Sequence, residues 1–384
     1  MRTRQIIAAL ILAIGVVSSC TKFEQEGGLT DNIRISYNVV SPKPSVKSSD
    51  YPEDTPFVSY AWYLPNGKSW QTEADRAASQ AYISKATISY QDSKWYDSST
   101  SYYWPKAGSL TFMSYSPDSP DIIPGVNVSV DQNEGVKFLN WDVDAYPTID
   151  LMVADVAMDK TANETSGSFT GVPTIFRHKL AMIAGFSFNT FQDYANGRDG
   201  TSGKEYKNGD IQFFITSISI KKLKQKGSYT SGPLSSESRL GLWTVTADDE
   251  EVKDYKWYYY DNEDDNNEIR YSTTDKPIAA NGLGGRSYLY VLPQEFEALG
   301  SKADNEVPHI QISYTKRTYS SASNYSDETI TTEVALYDVL STMGNEFQIN
   351  KKITFNVTIN LDTKLITWAP DYDEWTEGDY DISI

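Results

Sequence analysis

The chain has 384 residues, a formal net charge of −18, one cysteine and two histidines. This acidic balance argues against electrostatic binding to nucleic acid or anionic lipid, because both need basic patches. A single cysteine excludes an internal disulfide, and two histidines leave little material for a catalytic triad or a histidine-rich metal site. The length exceeds one ordinary core and predicts two domains.

The first twenty residues are organised like an export signal. Two arginines precede an uncharged, mostly apolar run over residues 6–17, and small residues lead to Cys20. The segment Val17-Ser18-Ser19-Cys20 resembles the lipobox of bacterial lipoproteins, which implies a signal peptide over residues 1–19, lipidation of Cys20 and a tether over residues 20–30. The alternatives are an ordinary secretory signal and a transmembrane anchor, but about a dozen apolar residues cannot span roughly 30 Å of hydrocarbon.

Period-two alternation of apolar residues recurs along the rest of the chain and predicts many short strands. The first row is Ile33, Ile35, Tyr37 and Val39; a less regular row is Leu110, Phe112 and Tyr115; the cleanest is Ile353, Phe355, Val357, Ile359 and Leu361. Further strands are predicted at residues 57–64, 85–90, 175–188, 211–222, 287–292 and 310–316. Helical patterning is limited to short candidates at residues 71–82, 294–299 and 334–343.

Polar, turn-rich stretches separate these elements. They occupy residues 41–51, 115–124 and 193–210, and another polar stretch lies between Met158 and Val172. We place the domain boundary in the last of these, which predicts an N-terminal domain at residues 31–165 and a C-terminal domain at residues 166–384. No repeat of fixed period is present, which argues against solenoids and propellers. Many short strands with few helices predict an all-β fold of β-sandwiches.

Six segments carry a resemblance to a known family. They are residues 110–117 (Leu-Thr-Phe-Met-Ser-Tyr-Ser-Pro), 150–154, 172–181 (containing Phe-Arg-His-Lys-Leu), 292–294 (Leu-Pro-Gln), 350–355 and 366–368, the last followed by Trp375. In this order behind a lipobox, they resemble the fimbrillin-like (Mfa-type) family, the fimbrial subunits and related surface lipoproteins of Gram-negative anaerobes. The resemblance covers essentially the whole mature chain.

The resemblance implies two transthyretin-like β-sandwich domains and a structural function without catalysis or cofactor. It implies a lipoprotein at the outer membrane surface, whose partners are other fimbrial subunits and possible surface receptors or glycans. In this family an arginine-specific protease removes the N-terminal strand, and a strand from the next subunit's C-terminal region fills the groove. Such β-augmentation joins subunits head to tail and produces an open filament.

Two features can be mapped onto that mechanism. Arg34 lies shortly after Cys20, inside the first strand-like row, and is the candidate processing site. The alternative is a solvent-facing arginine on an intact first strand. At the other end, Tyr380, Ile382 and Ile384 alternate with polar residues and form a candidate donor strand. The alternative is a C-terminal strand that pairs within its own domain.

Other residues give only weak evidence for a catalytic, metal-binding or nucleotide-binding site. His178 is predicted to be structural, and His309 to be a solvated residue at a strand end. The acidic run at residues 261–268 departs from the calcium-binding EF-hand pattern at Asn266 and Ser272, which favours a solvated loop. The glycines at residues 282–285 lack the spacing of a dinucleotide fingerprint and predict a turn.

The aromatic clusters at residues 102–104 and 257–260 suit either core packing or stacking on sugar rings. Paired carboxylates such as Asp371 and Asp373 could serve a glycosidase only if two converged in one cleft. The leading hypothesis is therefore a non-enzymatic fimbrial subunit or adhesive surface lipoprotein. A monomeric glycan-binding lipoprotein is the alternative, and an exported glycoside hydrolase is a distant third.

Overall fold

The computed structural model describes residues 33–40, 51–118, 127–162, 171–190, 207–236, 238–246, 252–260, 278–360 and 363–374. Its strands are β1 (Tyr37–Val40), β2 (Phe57–Leu64), β3 (Gln80–Gln91), β4 (Lys94–Tyr96), β5 (Ser109–Ser116), β6 (Asn127–Asp131), β7 (Gly135–Asp142), β8 (Met152–Ala154), β9 (Ala157–Lys160), β10 (Val172–His178) and β11 (Ala181–Thr190). They continue with β12 (Ile211–Lys224), β13 (Lys226–Thr230), β14 (Leu242–Val245), β15 (Val252–Tyr259), β16 (Leu289–Val291), β17 (Gln294–Glu295), β18 (His309–Ser321), β19 (Asn324–Ala335), β20 (Glu346–Phe347), β21 (Lys351–Ile359) and β22 (Ile366–Glu374). The helices are α1 (Glu73–Ala77) and α2 (Leu336–Val339). The predicted all-β sandwich class with few short helices is confirmed.

The N-terminal strands form a sheet that closes on itself. Its order is β2-β3-β4-β1-β10-β8-β5, and a further pairing of β2 with β5 completes the ring. We call it the closed sheet. Its interior is filled by a core rich in aromatic side chains, which includes Tyr37, Phe57, Trp95, Phe112 and Phe176. Closure leaves the strands of this ring with partners on both sides, which removes the exposed edges that open sheets must protect.

A second sheet covers the outside of the closed sheet. This cover sheet has the order β14-β13-β7-β6. Alternate side chains of β2 enter different cores: Phe57 and Ala61 point into the closed sheet, whereas Trp62 packs under the cover sheet. Strand β5 is likewise buried on both faces. Burial on both faces explains why its apolar row is irregular in the sequence, because neither face of the strand needs polar residues.

The C-terminal strands form two stacked four-stranded sheets. One has the order β16-β11-β21-β22 and the other β15-β12-β18-β19. Their shared core contains Phe186, Trp257 and the row predicted on β21, of which Ile353 and Phe355 are fully buried. Leu361, the last member of that row, lies outside the described residues. The first residues of β11 lie between cores, since Ala181 joins this core and Met182 joins the one under the cover sheet.

The predicted strand over residues 175–188 is wrong as a single element. The chain forms β10 in the closed sheet, leaves it at Lys179 and Leu180, and then forms β11 in the C-terminal sandwich. The continuous apolar pattern hides the change, because residues on both sides of the crossing are buried. The first predicted row is also shorter than expected, since β1 begins only at Tyr37 and Ile33 is 47% exposed.

The helix predictions hold only in part. Within residues 71–82 the helix spans Glu73–Ala77, and the chain is already extended in β3 from Gln80. No helix forms at residues 294–299, where β17 pairs with β20 instead. Within residues 334–343 the helix spans Leu336–Val339 and a 3₁₀ turn follows at Ser341–Met343. In each case tertiary pairing overrides a weak local preference.

The segment chosen as domain boundary lies partly outside the described residues, which omit 163–170. Strands on both sides of it share the cover sheet, because β7 pairs with β13 through Phe138 and Tyr229. The division into residues 31–165 and 166–384 stays a prediction.

Candidate assembly site at the N-terminal strand

Strand β1 fills a position between two other strands of the closed sheet. It runs parallel to β10, with Tyr37 opposite Val172 and Val39 opposite Thr174. On its other side it pairs with β4 at a single position, Tyr37 opposite Trp95. A strand held on one side by a continuous ladder and on the other by one pair has fewer hydrogen bonds than an inner strand of the sheet ordinarily makes. We call the space it fills the β1 slot.

The inward-facing side chains of the N-terminal segment anchor it in the core. Ile35 and Tyr37 are both buried, and the Tyr37 ring makes edge-on contacts with Phe57 at 5.5 Å and Phe112 at 5.8 Å. Burial raises the pKa of the Tyr37 phenol above its ordinary value. The β1 slot and the adjoining site of Ile35 therefore accept alternate apolar side chains at positions 35, 37 and 39, of which Val39 is only partly buried.

The residues just before β1 pair with a different part of the chain. We call Ile33–Ile35 the leading segment. The Ile35 N–H donates to the Tyr102 carbonyl at 2.8 Å, and the Trp104 N–H donates to the Ile33 carbonyl at 3.0 Å. Arg34 stands opposite Tyr103 in an isolated antiparallel bridge. The predicted processing site therefore lies in a paired, extended segment and not in a free loop.

The Arg34 side chain is also held in place. Its guanidinium donates to the Asp97 carbonyl at 2.6 Å and lies over the Tyr96 ring at 4.3 Å. The Asp97 carboxylate stabilises the turn that follows it, because its Oδ1 accepts hydrogen bonds from the N–H groups of Ser99 and Thr100 at 2.7 and 3.1 Å. The turn thus fixes the carbonyl that Arg34 contacts.

A comparison with known families agrees with this architecture. A sequence profile described as fimbrillin-like matches residues 65–369, which is well over half of the chain. The chain belongs to the fimbrillin-like family. The resemblance identified from short segments is confirmed.

The chain is similar to solved structures at low sequence identity, and the first of the two described here shows the same fold. A fimbrial protein from Bacteroides vulgatus has a TM-score of 0.54 and 18% identity, and the superposition covers 90% of this chain and 100% of that one. The fimbrial anchor protein Mfa2 from Porphyromonas gingivalis has a TM-score of 0.34 and 9% identity, with coverage of 90% and 99%. No curated protein sequence matches the chain significantly.

In this fimbrillin-like chain the Phe-Arg-His-Lys-Leu segment fixes the crossing from β10 to β11. Arg177 makes a two-pronged ion pair with Asp155, with nitrogen–oxygen distances of 2.9 Å from Nε and Nη2. His178 is fully buried and its Nδ1 lies 2.9 Å from Asp150 Oδ1. The geometry agrees with the structural role predicted for His178, since the ring is enclosed and bonded to Asp150.

Lys179 is the third basic residue of that segment and is buried as well. Its Nζ donates to the Leu240 carbonyl at 3.3 Å, and its own carbonyl accepts the Trp243 indole N–H at 2.6 Å. Desolvation lowers the pKa of Lys179 to about 7; the neighbouring Asp155 opposes this shift and Arg177 adds to it. Lys179 thus connects the end of β10 to Leu240 and Trp243 at the cover sheet.

The prediction for His309 was wrong. It begins β18 as expected, but it is 4% exposed, and its Nδ1 contacts the Val307 carbonyl at 2.7 Å. The Leu-Pro-Gln segment is also structural, because the Gln294 amide nitrogen donates to the carbonyls of Lys224 and Leu292, both at 3.2 Å. These bonds join the end of β12 to the end of β16 and explain why no helix starts there.

The aromatic clusters mostly serve the cores. Trp104, Trp257 and Tyr258 are buried, whereas Tyr103 and Tyr259 are 40% and 39% exposed. An isolated exposed tyrosine in each cluster is not the continuous platform that stacking on a sugar chain requires. The glycines at residues 282–285 lie in a turn, as predicted, and two of them have positive φ angles.

Several predicted residues lie outside the described part of the chain: Cys20, the acidic run at residues 261–268, and the candidate donor residues Tyr380, Ile382 and Ile384. In the part that is described, no group of His, Cys, Asp and Glu side chains is placed to hold a metal ion. No helix there has the length and apolar character needed to cross a membrane.

Sequence reasoning missed Tyr96 and Asp97 as partners of Arg34. The sequence does contain a signal, since Asp97 is followed by Ser-Ser-Thr, a pattern typical of a side-chain-capped turn. However, nothing in a pattern of local spacing places that turn beside a residue more than sixty positions earlier in the chain.

Proposed function

We propose that this protein is a non-enzymatic fimbrial subunit or adhesive surface lipoprotein. It is held at the outer membrane by a lipid on Cys20 and joins other subunits by strand exchange. The observation that carries the proposal is the β1 slot, a position in a closed sheet whose occupant has a full ladder on only one side. An incoming strand that pairs with β10 would restore the sheet with the same backbone hydrogen bonds.

The C-terminal residues have the chemistry that the β1 slot accepts. Tyr380, Ile382 and Ile384 repeat with period two, as do Ile35, Tyr37 and Val39, and each row contains one tyrosine and two aliphatic residues. Burying each apolar side chain contributes roughly 1.5 to 3 kcal/mol, so three contribute several kcal/mol at every junction. The donor strand comes from a second molecule, which makes the contact head to tail and open-ended.

Processing at Arg34 prepares the exchange without completing it. Strand β1 follows Arg34 in the chain, so cleavage after Arg34 releases the lipidated peptide and leaves β1 attached to the mature protein. Cleavage removes the Ile33 carbonyl that pairs with Trp104 and creates a new N-terminus at Ile35. The donor strand must then displace β1 itself, in competition with the burial of Tyr37.

The test replaces the inward side chains of the donor strand. A triple variant with Tyr380→Ser, Ile382→Ser and Ile384→Ser is expected to lose SDS-resistant multimers and filaments, while the monomer remains exported and folded. The matched control changes the alternate residues of the same strand, Asp379→Asn, Asp381→Asn and Ser383→Ala, and is expected to keep the multimers. The measurements are gel mobility without heating, negative-stain microscopy and circular dichroism.

Two outcomes would contradict the proposal. Filaments that persist in the serine variant would show that another surface joins the subunits. A serine variant whose monomer unfolds would show that the C-terminal strand completes its own domain, as in the alternative stated for the sequence.

A further inference from the structure

The peptide bond after Arg34 is held by hydrogen bonds on both sides. The Ile33 carbonyl accepts the Trp104 N–H, and the Ile35 N–H, which belongs to the bond itself, donates to Tyr102. Beyond them, the Val172 N–H donates to the Ser36 carbonyl at 2.7 Å. Proteases bind the residues around a cleavable bond as an extended strand that pairs with the enzyme, so these groups must first be free.

The side chains on the two sides of the bond are engaged as well. Ile35 is 3% exposed within the closed sheet's core. The Arg34 guanidinium contacts the Asp97 carbonyl and the Tyr96 ring, and this group is also the one that an arginine-specific protease must take into its pocket. The same guanidinium cannot occupy both places, so recognition by the enzyme competes directly with the contacts that hold the segment.

We propose that Arg34 is a latch that hides its own cleavage site. While its guanidinium is bound to the Tyr96 ring and the Asp97 carbonyl, the leading segment stays paired with residues 102–104, the chain keeps its N-terminal tether, and β1 remains in its slot. Cleavage is confined to molecules in which this pairing has opened. The inference rests on the proposed function, because it regulates the processing step that the proposed assembly uses.

Digestion of the full-length protein with an arginine-specific endoprotease tests the latch. Mass spectrometry follows the appearance of the new N-terminus at Ile35, first in the folded protein and then in the protein unfolded in mild urea. Cleavage of a folded segment follows the fraction of molecules that are locally open. We expect the folded protein to be cut after Arg34 at least about 100-fold more slowly than the unfolded one. Equal rates would overturn the proposal.

Two variants loosen the latch without touching the cleavage site. Asp97→Ala removes the carboxylate that folds the turn, and Tyr96→Leu removes the ring under the guanidinium. Each is expected to speed cleavage after Arg34 by about 5- to 30-fold, the effect of losing one or two modest interactions.

Each variant has a matched control elsewhere in the fold. Asp131→Ala removes the same kind of turn contact, since Asp131 Oδ1 accepts the Asn133 N–H at 2.7 Å. Tyr325→Leu removes a ring that lies under another arginine, Arg317, at 3.9 Å. Neither control should change the rate at Arg34. If the controls speed cleavage as much as the latch variants do, the protection is global stability and the latch is wrong.

The readout separates this inference from the proposed function. Protection is measured on the monomer, so slow cleavage with a selective response to Asp97→Ala and Tyr96→Leu supports the latch even if multimers never form. Intact filaments together with an unprotected Arg34 would overturn the latch and leave the proposed assembly standing.

Discussion

Replacing Lys179 by methionine is expected to stabilise the protein. Lys179 is 1% exposed, and burial lowers its pKa from 10.5 to about 7. An unfolded chain restores the ordinary value, so between pH 7 and 10.5 the unfolded state binds the proton more tightly than the folded state. Unfolding is therefore favoured by protonation, and stability rises with pH across this window.

The change in folding stability follows from the size of the pKa shift of Lys179. One unit of pKa corresponds to about 1.4 kcal/mol, so the lysine costs the folded state about 4 kcal/mol near pH 7, and about 3 kcal/mol of this is recovered by pH 9.5. Methionine fills a similar volume without a charge. The Leu240 carbonyl still accepts the Tyr229 hydroxyl at 2.7 Å, so the substitution leaves it with a partner. We expect Lys179→Met to gain about 2 to 4 kcal/mol at pH 7.

Urea unfolding followed by circular dichroism at several pH values from 6 to 9.5 would measure this. The range stops there because burial raises the pKa of tyrosines such as Tyr37 and Tyr229, whose contribution to stability is lost once the pH exceeds about 10. The free energy of unfolding of the wild-type protein should increase with pH, whereas that of Lys179→Met should stay constant over this pH range. Lys302→Met, at an exposed position, is the control. The reasoning would be refuted if the free energy of unfolding of the wild-type protein did not change with pH, or if Lys179→Met were less stable than the wild type at every pH.

Two further expectations concern Tyr37 and Cys20. Tyr37→Ala should lower the free energy of unfolding by about 3 to 5 kcal/mol, because it leaves a cavity beside Phe57 and Phe112. Tyr37→Phe should change the free energy of unfolding by less than about 1 kcal/mol. Urea unfolding measures both variants, and equal losses of stability would contradict the cavity argument. Cys20→Ala should move the protein from the membrane to the soluble periplasmic fraction, and unchanged fractionation without incorporation of labelled fatty acid in the parent would count against lipidation.

Local pattern was enough to place several of the longer strands. Strand β2 has the bounds that its alternation predicts, and the row from Ile353 to Ile359 is buried as expected. These strands are recognisable because a half-buried or central strand imposes its own residue preferences over several positions. The family resemblance, too, depends on short segments whose order could be read directly.

The predictions that were wrong or absent concern residues whose surroundings are set by long-range contacts. His309 has a polar side chain at a strand end, which ordinarily means exposure, but here the neighbouring chain covers it. Residues 175–188 give one unbroken pattern although the chain changes sheets at Lys179, because the pattern records burial and not which sheet a residue joins. The closure of β2 on β5 and the contact of Arg34 with Asp97 join residues that lie far apart in the chain, and no local period encodes such pairs.

Strands β2 and β5 lie between two hydrophobic cores, and this position has a consequence for how the molecule folds. Its side chains alternate between two cores, so neither core can be completed without the other, and the two should melt as one cooperative unit. The second core needs β13 and β14, which come from far later in the chain. A fragment ending at residue 165 would keep β6 and β7 but lack Tyr229, Trp243 and Leu292 of this second core, so the core would remain incomplete. During folding, the N-terminal half therefore reaches its final form only after β13 and the strands that follow it have joined the second core.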